Sequence, residues 1–215
     1  MALLMFLAVA AVYVPVKRDP RDNAQAAGDY HVLHARRMQF ARENLAQRHV
    51  IPGWYPRELM GAPFWSNVQS FPLLPTRLIV LALPPPYDYT VGTILGAELA
   101  ALFTFLFMRG RGYTPLGAAA AGWTFACSGF YAARIYRGEL PLLEAYPALP
   151  LLLWLVDVNL RAAGGHARQK RFALGGLALA SFCLALAGHP QLPGYAFATA
   201  GLFVIWCGWG AWRTI

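Results

Sequence analysis

From Phe172 to Trp212 the chain carries no formal charge. A hydrocarbon core of about 30 Å takes roughly 20 apolar helical residues to cross, so this stretch is long enough to cross twice. It is interrupted at Gly188-His189-Pro190-Gln191-Leu192-Pro193-Gly194, where two prolines and two glycines stop one helix and start the next. The pattern predicts a hairpin of two spans, near 172 to 188 and 192 to 211.

Other stretches have the same character. Residues 89 to 108 carry one charge, Glu98; residues 115 to 133 carry none; residues 140 to 160 carry only Glu144 and Asp157. Residues 2 to 16 form a further apolar helix, cut short, without the basic start and small-residue cleavage site of a secretory signal. Residues 71 to 83 are apolar but brief and contain Pro72, Pro75 and Arg77, which predicts a re-entrant or interfacial piece. With 58% hydrophobic and 13% charged residues, the whole chain lies outside the range of ordinary soluble domains. The expectation is one all-α transmembrane domain over residues 1 to 215 with about six spans. It comprises an opening helix, a large loop at 17 to 70, the segment 71 to 83 and a five-helix membrane bundle over 89 to 212. Its C-terminus, a few residues past the last span, makes it look like the front part of a longer protein.

Charge gives a first reading of orientation. Arg109, Arg111, Arg161, Arg168, Lys170, Arg171 and Arg213 fall on one side of a six-span layout. Arg134, Arg137 and the loop cations Lys17, Arg18, Arg21, Arg36, Arg37, Arg42, Arg48 and Arg57 fall on the other. Counted alone, the positive-inside rule makes the long loop cytoplasmic. The basic residues flank apolar spans, so the pI near 9.8 points to anionic headgroups or phosphates and not to nucleic acid. Cys127, Cys183 and Cys207 all fall within spans and show no paired spacing, which implies neither disulfide nor zinc. Phosphate-binding glycine loops, zinc-protease helices and nucleotide fingerprints are absent.

Within the loop, residues 29 to 48 suit a helix lying on the membrane surface, with Tyr30, Leu33, Phe40, Ala41 and Leu45 on one face and Arg37 intruding on it. Asp29 stands at its start, where an N-cap is the plain structural role. Glu98, near the middle of a span, must be neutral, paired or turned into the bundle. It serves either acceptor or lipid-phosphate handling or a hydrogen bond to a neighbouring helix. Glu144, near a span end and wet, and Asp157, near the basic loop at 161, read as structural. Trp54, Tyr55, Phe64 and Trp65 suit an interfacial aromatic belt or sugar-stacking platforms. Asn67 and Gln69 suit sugar hydroxyls or the capping of loop backbone.

Several of these elements occur together in a recognisable order: Gly28-Asp29, Pro52-Gly53-Trp54-Tyr55-Pro56, Gly61-Ala62-Pro63, Asn67-Val68-Gln69-Ser70 and Pro72, then Pro147-Ala148-Leu149-Pro150 and Ala187-Gly188-His189-Pro190-Gln191. This order resembles the N-terminal part of the YfhO family, bacterial multi-spanning proteins similar to polyprenyl-phosphate-dependent glycosyltransferases of the GT-C type. The likeness runs over essentially the whole chain. It departs at Tyr55, where the family commonly has asparagine, and in length, since family members run on with more spans and a C-terminal region.

The resemblance implies a multi-pass protein of the bacterial cytoplasmic membrane whose long loop is extracytoplasmic, the opposite of the charge count. It implies transfer of a sugar from a polyprenyl-phosphate donor to an acceptor such as a cell-envelope glycopolymer. Asp29 matches the family's loop acid and is expected to act as base, or as ligand if a divalent metal ion takes part. Arg134 and Arg137 are expected at the donor phosphate, with headgroup contact as the alternative. His189 and Gln191 on the hairpin tip, with Glu98, Asn67, Gln69 and Trp54, complete the expected substrate-binding set. A non-catalytic membrane scaffold or accessory subunit of the same fold is a second expectation. A transporter with Glu98 as its coupling carboxylate is a third.

Overall fold

The computed structural model describes residues 1–14, 28–50, 52–58, 60–64, 67, 74–84, 87–162, 167–185, 189 and 191–212, with backbone alone for 167–170 and 209–212. Apart from one ribbon of two two-residue strands, the regular structure of the described residues is helical. In chain order the elements are α1 (Ala2–Tyr13), a π-helical turn (Tyr30–His34) running into α2 (Ala35–Arg48), β1 (Trp54–Tyr55), β2 (Ala62–Pro63), α3 (Pro75–Leu81), α4 (Tyr87–Gly110), α5 (Pro115–Ala126), α6 (Gly129–Arg137), α7 (Leu140–Ala145), α8 (Ala148–Arg161), α9 (Ala167–Ala185) and α10 (Gln191–Trp212). Among the described residues, two stretches are long and apolar enough to cross a membrane, α4 and the nearly continuous Leu140–Arg161 made by α7 and α8. Ala2–Tyr13 and Arg171–Ala185 are shorter apolar helices.

Helix α4 is the central post, packed by α1, α3, α5, α7 and α8. Small residues let those neighbours approach. A Cβ on Gly96 would lie 2.7 Å from the Leu143 carbonyl oxygen and 2.5 Å from the Tyr131 hydroxyl. Gly96→Ala should therefore lower the unfolding free energy by about 1–3 kcal/mol, the usual cost of overpacking, read as a lower unfolding midpoint in detergent. The outer faces of α1, α9 and α10 remain apolar, with Leu3, Leu7, Leu179, Phe182, Leu202, Ile205 and Trp206 all exposed.

The uncharged stretch 115 to 133, expected as one span, is two helices. Thr114 caps α5 by accepting from the Gly117 amide, and Pro115 sits at its first turn. At Cys127 the backbone leaves helical geometry, and Ser128 restarts it by accepting from the Tyr131 amide. Tyrosine hydroxyls fill the gap: Tyr146 donates to the Phe125 carbonyl at 2.9 Å and Tyr13 to the Ala126 carbonyl at 2.6 Å. Carbonyls freed inside an apolar bundle are costly unless hydrogen-bonded, which is what these side chains supply.

In the loop the expected helix at 29 to 48 is present, with two corrections. Asp29 is not an N-cap: its backbone is already helical (φ −65°, ψ −31°) and its side chain accepts no capping bond. Arg37, which broke the apolar face, is buried with it and binds Glu58 through two hydrogen bonds of 2.9 and 2.7 Å. The helix ends at His49 in left-handed geometry (φ 55°). On it rests the ribbon of β1 and β2, with Phe40, Tyr55 and Phe64 as a shared aromatic core. The described part of segment 71 to 83 contains the short helix α3. Of the expected hairpin turn, only His189 and the residues from Gln191 onward lie within the described part.

Candidate functional site

Contacts gather the loop and several helix ends at one end of the bundle. Arg42 on α2 donates to the Leu81 and Val80 carbonyls at the end of α3, at 3.0 and 3.1 Å, and to Asp88 at the start of α4 at 2.7 Å. Tyr30 also donates to Asp88. Its ring packs 4.5 Å from that of Tyr89, whose hydroxyl donates to the Ile135 carbonyl near the end of α6. Leu74, just before α3, Ala145 on α7, Cys183 on α9 and Leu192 on α10 pack together at this end. The opposite end is marked by Asp157, buried beneath Arg111 and Arg161 at 3.2 and 2.6 Å. The structural role expected of Asp157 holds.

Two ion pairs lie at this end, Arg37 of α2 with Glu58 between β1 and β2, and Arg77 of α3 with Glu144 of α7. Arg77 donates to Glu144 from Nε, at 3.0 and 2.9 Å, and from Nη2. Both side chains are almost fully buried, so Glu144 is not the wet residue expected at a span end. His34 is also buried, and its Nδ1 finds no hydrogen-bond partner among the described residues. Burial, then the positive fields of Arg77 and Arg37, push the imidazole down from 6.5 to about 3. The unfolded chain takes up this proton from about pH 6.5 downward and the folded chain does not until about pH 3. Stability is therefore fully present above pH 6.5 and falls as the pH drops through that window, by at most about 1.4 kcal/mol per unit. Compared with wild type, His34→Gln should show a shallower loss of unfolding midpoint between pH 6.5 and 4.

The expected site residues take up distinct positions. Asp29 is half-buried and precedes Tyr30 in sequence, and Arg134 precedes Ile135, whose carbonyl accepts from Tyr89. Arg134 donates to Glu139 at 2.6 Å and lies 4.8 Å from the centre of the Phe130 ring; Arg137 pairs with Glu139 at 3.2 Å and is otherwise exposed. Both guanidiniums expected at the donor phosphate thus already hold one carboxylate. His189 is half-buried with its Nδ1 unpartnered among the described residues. Gln191 is exposed and donates to the Tyr195 hydroxyl at 2.8 Å. Glu98 lies in the middle of α4. Trp54 is exposed on β1 with its ring over Gly61, whose φ of +110° and missing Cβ make room for it; a Cβ there would come within 2.6 Å of the ring. Asn67 is half-buried, while Gln69 and Trp65 lie outside the described residues.

The arrangement separates the carboxylates into two kinds. Asp88, Glu43, Glu58, Glu139, Glu144 and Asp157 each face an arginine. Among the described residues only Asp29 and Glu98 have no cationic partner. No three histidine, cysteine or carboxylate side chains gather as a metal site among the described residues. The cavity lined by Arg37, Met38, Ala41, Phe64, Arg77 and Leu81 measures about 10 Å³, room for one water and no sugar. A hollow of about 620 Å³ is lined by Arg171, Phe172, Gly175 and Gly176 on α9, remote in sequence from the loop acid.

Sequence reasoning passed over His34 and the Arg77–Glu144 pair. A signal for the pair was there: an arginine and a glutamate each stranded in an apolar segment are cheapest when they meet. No family model matches the chain, and neither a curated protein nor a solved structure matches it.

Proposed function

We propose that this protein is a multi-pass protein of the bacterial cytoplasmic membrane that moves a sugar from a polyprenyl-phosphate donor to an extracytoplasmic acceptor such as a cell-envelope glycopolymer. The observation that carries the reading is that Asp29 has no cationic partner among the described residues. Every other described loop acid is neutralised by an arginine, whereas the one acid that the resemblance singles out is half-buried and pairs with no cation among the described residues. The apolar outer faces of α1, α9 and α10 support a lipid surrounding, because soluble monomers rarely expose apolar patches of that extent.

In this reading Asp29 accepts the proton of the acceptor hydroxyl as that oxygen bonds to the sugar's anomeric carbon. The bond from that carbon to the phosphate oxygen breaks, and polyprenyl phosphate leaves with the electron pair. Arg134 and Arg137 stabilise the departing phosphate by exchanging Glu139 for it.

A second reading, a non-catalytic scaffold, is favoured by one observation: Glu139 already neutralises both arginines. Transfer from polyprenyl-phosphate-linked sugars by the purified protein in liposomes separates the two. The transferase reading expects donor-dependent glycosylation of an acceptor glycan; absence of both turnover and donor binding leaves the scaffold.

A further inference from the structure

Glu98 sits on α4 about 15 Å along the helix axis from Asp88 and about 16 Å from Arg109, at a rise of 1.5 Å per residue. It is the only charged residue between them. The residue as a whole is half-buried, but its Oε2 is fully enclosed and accepts no hydrogen bond from any described residue. No cation pairs with it among the described residues. Cys127, at the break between α5 and α6, is within electrostatic reach of Glu98, and Tyr13 of α1 lies beside Cys127.

The hydroxyls nearest the break are already committed. Tyr13 binds the Ala126 carbonyl, Tyr146 binds the Phe125 carbonyl, and Tyr131 donates to the Thr93 carbonyl at 2.6 Å. Charged groups on the other helices packed against α4 are paired: Arg77 with Glu144 from α3 and α7, and Asp157 of α8 with Arg111 and Arg161 at the far end. An ionised carboxylate enclosed in an apolar bundle without a partner is strongly disfavoured, and taking up one proton removes the charge.

We propose that Glu98 is a proton-binding site inside the bundle, occupied as the neutral carboxylic acid near neutral pH and exchanging with water. This stands apart from sugar transfer, since it rests only on the enclosure of the Glu98 Oε2 and on the pairing of its neighbours. The site takes a hydron and no larger cation. Among the described residues Glu98 belongs to no group of three histidine, cysteine or carboxylate side chains that could hold a metal ion.

Infrared difference spectroscopy of wild type minus Glu98→Gln, both in liposomes near neutral pH, tests it. The expected result is a carbonyl band of a protonated carboxyl group that is present in wild type, absent in the variant and shifted in heavy water. Carboxylate bands in its place, or no band assignable to Glu98, overturn the proposal. Glutamine matches the shape of the neutral acid, so the variant should stay folded. Labelling of the wild-type protein needs no variant: dicyclohexylcarbodiimide, which enters apolar sites and reacts with protonated carboxyl groups, should form an adduct that peptide mass mapping assigns to Glu98. No adduct at Glu98, or equal labelling by a water-soluble carbodiimide, overturns it.

Discussion

Glu144→Gln should cost about 3–5 kcal/mol of stability, enough to remove most of a small protein's margin. Arg77 and Glu144 are 5% and 1% exposed, and both glutamate oxygens accept from the guanidinium. Neutralising one partner leaves an arginine charge buried with no counter-ion, and that uncompensated charge, more than the lost contact, sets the cost. Replacing both partners by apolar residues of similar size, Arg77→Met with Glu144→Leu, should recover most of the loss, because a buried pair returns little beyond its own desolvation. Equilibrium unfolding in mixed micelles checks both variants. A single variant as stable as wild type would mean that the pair is open to water.

Asp29→Asn should leave stability unchanged within about 0.5 kcal/mol and lower transfer by a factor of roughly 10² to 10⁴, the range that a positioned base contributes. The contrast with Glu144 follows from the contacts. Asp29 neither caps its helix nor pairs with a cation among the described residues, so the fold does not depend on its charge. An amide keeps the shape and cannot accept the proton. Equal losses of stability and transfer would assign Asp29 a structural part; unchanged transfer would remove it from the chemistry.

The segments that became helices were legible because hydropathy and proline placement are local signals. The stretch around Glu98 became α4, the loop helix began where Gly28-Asp29 suggested, and the two halves of the last uncharged run became α9 and α10. What escaped depends on hydrogen bonding or on distant partners. The break at Cys127–Ser128 is invisible to hydropathy, since the flanking residues stay apolar and the repair comes from Tyr13 and Tyr146, remote in sequence. Arg77 and Glu144 are 67 positions apart and meet only once α3 and α7 pack on α4. Gly61 stood out in the sequence as part of a motif; its physical reason, clearance for the Trp54 ring with a positive φ, needed the ribbon. Asp29 stands out in the sequence through the resemblance, and Glu98 through its place in the middle of an apolar span. Neither acquires a cation among the described residues in the fold.

The charge count and the resemblance place the loop on opposite sides of the membrane, and the proposed chemistry requires the outer one. Met60, fully exposed at the tip of the ribbon, is the position from which to decide. A Met60→Cys variant, with Cys127, Cys183 and Cys207 replaced by alanine, can be treated with a membrane-impermeant maleimide on intact spheroplasts. Labelling without permeabilisation is the result predicted for a loop that covers the outer end of the bundle. Labelling only after the membrane is opened would put Asp29 in the cytoplasm and contradict transfer to a cell-envelope acceptor.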